Sequence, residues 1–172
     1  MIYLKQTENL FISLDREYQA LKENGVLATV TPTAFVSFLI IRLTCEFEAC
    51  LHKMVKDKWK QETKSTHIHQ LIQEKIKLRS SKSKQLRKNL NQFLLDIDNP
   101  NVLFPDGKSR IYYEKIFGKE GDETGENNIR NQIAHQLDFV FSFLPQWDEI
   151  HDYIQVADNV LQYVESNLKF ID

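Results

Sequence analysis

Apolar side chains recur at spacings of three, four and seven through most of this sequence. No apolar–polar alternation runs long enough to build a sheet, and Phe139, Phe141 and Phe143 are a short exception. That periodicity confines the chain to packed helices. Over 3–24 the positions Tyr3, Leu4, Leu10, Phe11, Leu14, Tyr18 and Leu21 form one helical stripe, and Gly25 is a C-terminal stop. Thr31 and Pro32 predict an N-cap and a first-turn proline, opening a long helix that continues to about residue 60. Its apolar residues, from Phe35 through Phe47 to Val55, cover a wide arc, which predicts the central helix of a bundle. A third helix is expected over 66–78, and Ser80-Ser81 caps a fourth that ends near 96–98. Residues 99–125 hold two of the four prolines and four of the five glycines, which predicts a long surface connection with a short helix at 110–117. Helices at 126–137 and 146–168, the second started by Pro145, close the chain. The expected fold is all-α: a single domain over 1–172 with about five to six helices and a long loop before the penultimate one.

With 172 residues, 42% of them hydrophobic and 27% charged, the chain can bury a core without disulfides or a structural metal. Cys45 and Cys50 stand five apart on one helix, about 140° around its axis, so they cannot pair with each other. Both read as buried, inert thiols. Met1 to Glu8 lack the layout of a secretory signal, and the longest uncharged run, 25–41, is too short and too polar to span a bilayer. A cytoplasmic protein with no membrane contact is expected.

The net charge of −2 conceals an asymmetry: residues 53–90 carry 12 basic and 3 acidic side chains, and residues 91–172 carry 6 and 15. The basic segment reads either as the solvated outer faces of helices or as a local anion-binding surface. His67 and His69 form a His-x-His without further ligands at metal spacing, so no metal site is read. Neither a Walker loop, a Gly-x-Gly-x-x-Gly nor a Gly-x-Ser-x-Gly is present, which removes the commonest nucleotide-binding and acyl-transfer readings.

The segment from Asn127 to His135 stands apart. With Ile129 at 0° on a helical wheel, Ile133 falls at about 40°, Arg130 at about 100°, Asn131 at about 200° and His135 at about 240°. Ile129 and Ile133 then pack inward, while Asn131 and His135 share another face one turn apart. A guanidinium, an amide and an imidazole together can bind a phosphodiester and move a proton on it. The alternative is a surface helix with a Glu126–Arg130 pair and an incidental histidine.

Arg130-Asn131-Gln132-Ile133-Ala134-His135, an Arg-Asn-x3-His motif near the end of a small all-helical chain, resembles the signature of the HEPN superfamily, in particular its bacterial endoribonuclease-like branches. Phe47-Glu48-Ala49 resembles the family's acidic position on helix two, and the likeness covers about 30–60 and 125–168. It implies a metal-independent endoribonuclease of the toxin or defence type, without a cofactor. In it Arg130 holds the scissile phosphate, His135 serves as general acid or base, Asn131 positions one of them, and the ribose 2′-OH attacks. Glu48 is the implied acidic residue and Glu46 its competitor. The two differ by about 200° around the helix, so only one can face the site.

The likeness also implies a homodimer whose seam contains the helix at 126–137, with the Arg-x4-His motif contributed by both protomers across one cleft. Lys82, Lys84 and Lys88 are the candidate RNA contacts, and a cognate antitoxin or other partner protein belongs to the same expectation. Leu137 stands where the toxin-type motif has tyrosine, so regulation through that tyrosine is not expected, and Gln136 replaces the frequent glycine. The alternative function is a non-catalytic HEPN-like module that binds nucleotide or RNA, or dimerises beside a partner.

Overall fold

Helices carry most of the chain in the computed structural model, which describes residues 1–25, 30–62, 86, 88, 90–97, 103–104, 106–118, 129–135 and 144–171. In order these form α1 (Lys5–Glu23), α2 (Val30–Glu62), β1 (Leu95–Ile97), α3 (Gly107–Phe117), α4 (Ile129–His135), a 3-10 turn (Trp147–Glu149), α5 (Ile150–Asn167) and β2 (Leu168–Phe170). The all-α expectation holds. At about 1.5 Å per residue the 33 residues of α2 span roughly 50 Å. They are the axis of the bundle, with α1, α3, α4 and α5 all packed against them. Val36, Leu39, Ile40, Leu43, Phe47, Leu51 and Val55 are its buried face, as its apolar width predicts. Helix α2 already includes Val30, so Pro32 does sit in the first turn, while Thr31 is inside the helix rather than its cap.

Helix α1 has no cap of its own at Leu4. Its orphan N–H groups are met from other helices. Glu46 on α2 accepts from the backbone of Gln6 and Thr7 and from the Thr7 hydroxyl, at 3.1, 2.8 and 2.6 Å. The chain leaves α1 through Gly25 in the left-handed region (φ 66°), the stop expected there.

Three expectations are corrected. The short helix expected at 110–117 is present but starts at Gly107, and it is a core helix with Tyr112, Tyr113, Ile116 and Phe117 buried rather than part of a surface connection. Asp106 caps it, accepting from the Ser109 N–H at 2.6 Å, and Gly118 ends it at φ 95°. The glycines that suggested a loop are helix punctuation around an amphipathic stretch. Next, Leu86, Lys88, Leu90 and Asn91 are helical, but the chain turns at 92–94, with Leu94 at φ 55°, and continues as a strand over 95–97 rather than as helix. It pairs antiparallel with β2, Leu95 opposite Phe170 and Ile97 opposite Leu168. Lastly, the final helix does not begin at 146. A 3-10 turn closed by reciprocal bonds between Gln146 and Glu149 precedes α5. The helix expected over 66–78 and the residues Phe139, Phe141 and Phe143 lie outside the described residues. No helix among the described residues is long and apolar enough to cross a membrane.

Candidate functional site

Helix α4 begins with Ile129 buried in the core, and Ile133 packs half-buried one turn later, so the apolar stripe faces inward as the wheel predicts. One step of about 100° carries Arg130 off that stripe. Its Nη1 donates to Glu48 Oε1 of α2 at 3.1 Å. The two side chains are 36% and 20% exposed, which puts the ion pair at the edge of solvent. Burial pushes the Glu48 carboxyl above its ordinary pKa and outweighs the charge and hydrogen bond of Arg130, which pull it down. A guanidinium has further N–H donors beyond the one on Glu48, and these can hold a phosphate arriving from solvent.

The two glutamates divide as their angular separation requires. Glu46 is spent on the first turn of α1, and Glu48 meets Arg130. Asn131 and His135 lie on α4, one turn apart, and their side chains are outside the described residues. Lys88 is exposed and helical, whereas Lys82 and Lys84 lie outside the described residues. His52, half-buried one turn beyond Glu48, has its pKa lowered by burial and then by the charge of Lys56, so its ring is neutral at pH 7.

Both thiols were expected to be buried, and Cys45 is instead exposed. Cys50 is half-buried. Its pKa is raised by burial and by the charges of Glu46 and Asp158, against a smaller pull from Lys53, so thiolate chemistry is disfavoured. A cavity of about 390 Å³ lined by Tyr3, Cys50, Lys53, Met54 and Glu165 contains no motif residue. Among the described residues no three or more His, Cys, Asp or Glu side chains are grouped as a metal site.

Asp158 carries a role that the sequence reading missed. Its carboxylate is 1% exposed and accepts from the N–H groups of Ile2, Tyr3 and Leu4 at 3.1, 2.8 and 2.9 Å and from Gln162 Nε2 at 2.7 Å. Burial alone raises its pKa, but the four donors together hold it below the ordinary value. The available signal was an aspartate inside the apolar run Ile154, Ala157, Val160, Leu161 of α5.

No family model, curated protein or solved structure matches the chain. The likeness to the HEPN superfamily therefore rests on Arg130, Asn131, His135 and Glu48 and on the helical fold around them.

Proposed function

We propose that this chain is a metal-independent endoribonuclease of the toxin or defence type that works as a homodimer. The observation that carries the proposal is the Arg130–Glu48 contact. The motif arginine on α4 and the acidic residue at the corresponding place on α2, 82 positions apart in sequence, meet at 3.1 Å. In this mechanism Arg130 binds a non-bridging oxygen of the scissile phosphate, and Glu48 orients the guanidinium. The 2′-oxygen loses its proton to a base and bonds to phosphorus as the bond to the 5′-oxygen breaks. His135 transfers a proton in this exchange, Asn131 positions it, and the products are a cyclic phosphate and a 5′-hydroxyl. Lys82, Lys84 and Lys88 hold the strand by its phosphates.

One observation favours a second reading. An Arg130 already neutralised by Glu48 is also what a structural tie between α4 and α2 looks like, which suits a non-catalytic HEPN-like module that binds RNA or nucleotide, or pairs with an antitoxin or other partner. Incubating the purified chain with total RNA in EDTA separates the two. Cleavage by the wild type and its loss in Arg130→Ala support the nuclease, and intact RNA with a folded wild type supports the module.

A further inference from the structure

The cavity of about 390 Å³ lies between α2 and the end of α5, with the first residues of the chain beside it. At about 30 Å³ per molecule it has room for roughly thirteen waters, and so for a small organic ligand. It is separate from the candidate site, because Cys50 and Lys53 stand about 200° and 140° around α2 from Glu48. Its lining is mixed. Met54 and Leu168 are its buried apolar part, and Ile2, 59% exposed, extends that surface to solvent.

Charges of both signs line the cavity, and two of them are available to a ligand. Asp57 pairs with Lys60 at 3.7 Å, and the Lys58 ammonium lies 6.0 Å from the centre of the Phe170 ring. Lys53, on the α2 wall, is exposed and forms no ion pair among the described residues. Glu165, on the α5 wall, accepts from the Tyr3 hydroxyl. Burial, then the bond to Glu165 and its charge, push the Tyr3 phenol up to about 12. The phenol therefore keeps its proton and holds the carboxylate in one orientation, with further acceptor positions left over.

We propose that this cavity binds a free amino acid with an apolar side chain. Its carboxylate meets the Lys53 ammonium, its ammonium meets Glu165, and its side chain covers Met54, Leu168 and Ile2. Ligands of a single charge sign are selected against. A phosphate dianion would meet the carboxylates of Asp57 and Glu165, and a polyamine would meet the ammonium groups of Lys53 and Lys58. The site goes beyond the nuclease reading and shares no residue with it.

The test reads binding and does not depend on cleavage. Isothermal titration calorimetry on the full chain compares L-phenylalanine with 3-phenylpropionate, which lacks the amine, and phenethylamine, which lacks the carboxylate. AMP and spermidine are the single-sign controls. Phenylalanine is expected to bind, and each one-ended analogue to bind about tenfold more weakly or worse. Lys53→Gln should weaken phenylalanine and phenylpropionate by about tenfold and leave phenethylamine unchanged. Glu165→Gln, which keeps an acceptor for Tyr3, should do the reverse, with circular dichroism checking that both variants are folded. No phenylalanine binding at millimolar concentration overturns the proposal, as does tighter binding of an analogue, AMP or spermidine. Unchanged phenylalanine binding in either variant overturns it too. Arg130→Ala should bind phenylalanine as the wild type does, so a failed nuclease leaves this site standing and a failed site leaves the nuclease standing.

Discussion

Replacing Asp158 with alanine removes the one acceptor that gathers the N–H groups of Ile2, Tyr3 and Leu4. Leu4 is fully buried, so its donor has no water to turn to, and an unmet buried donor costs about 1–3 kcal/mol. The Ile2 and Tyr3 donors are half-buried and regain some hydration, at about 0.5–1.5 kcal/mol each, while Gln162 can rotate to solvent at little cost. The total is about 2–6 kcal/mol. With a urea slope of about 2 kcal/mol/M, the midpoint should fall by roughly 1–3 M with the slope unchanged. Asp158→Asn should be less damaging than alanine, because its amide oxygen can still accept from Tyr3 and Leu4, and only the Ile2 and Gln162 donors face the amide nitrogen.

The pH dependence has a definite sign. Asp158 is held below its unfolded value, so its stabilisation is present above about pH 4 and is lost as pH falls toward the folded pKa. Neither variant should show that loss. A midpoint shift below about 0.5 M, or an acid limb identical in wild type and Asp158→Ala, would refute the assignment.

Other outcomes follow from the same contacts. Glu46→Ala removes the acceptor for the first turn of α1 and should cost about 1–2 kcal/mol, read as a lower melting temperature. Glu48 is raised in the fold, so its favourable contribution is present below about pH 4.3 and lost as pH rises through the folded value. Glu48→Gln should therefore gain stability relative to wild type between pH 4 and pH 7 in parallel urea titrations, and a relative decline would contradict the shift. Tyr113→Ala should cost about 3–5 kcal/mol by denaturation, because Tyr113 is 1% exposed and packs on Phe47, Phe104 and Phe117. A surface-like loss below about 1 kcal/mol would return α3 to the status of a surface helix.

The helical bundle was legible because burial on α1, α2 and α5 follows a single period, and periodicity is what a sequence displays most directly. Helix α3 was legible as a short helix, but its place in the core was obscured because its boundary glycines, Gly107 and Gly118, raise the local glycine content in the way a surface loop does. Only the apolar spacing of Tyr112, Tyr113, Ile116 and Phe117 distinguishes the two. Strand β1 is three residues long and exists through its pairing with β2, more than 70 positions away, which no local pattern contains. At the site, wheel angles were enough to say that Glu46 and Glu48 must part. They could not say which of them faces Arg130, because that depends on where α1 and α4 pack. Asp158 escaped notice for a similar reason: its partners are backbone groups at the other end of the sequence, and backbone donors leave no mark in composition.

The most direct test of the central claim is the end group left on a defined RNA incubated with the protein in EDTA, for wild type and His135→Ala side by side. The account predicts fragments ending in a 2′,3′-cyclic phosphate from the wild type and a loss of rate of about 10²–10⁴-fold in the variant, while the matching DNA stays intact. Cleavage that persists in His135→Ala, or that needs added Mg²⁺, would contradict it.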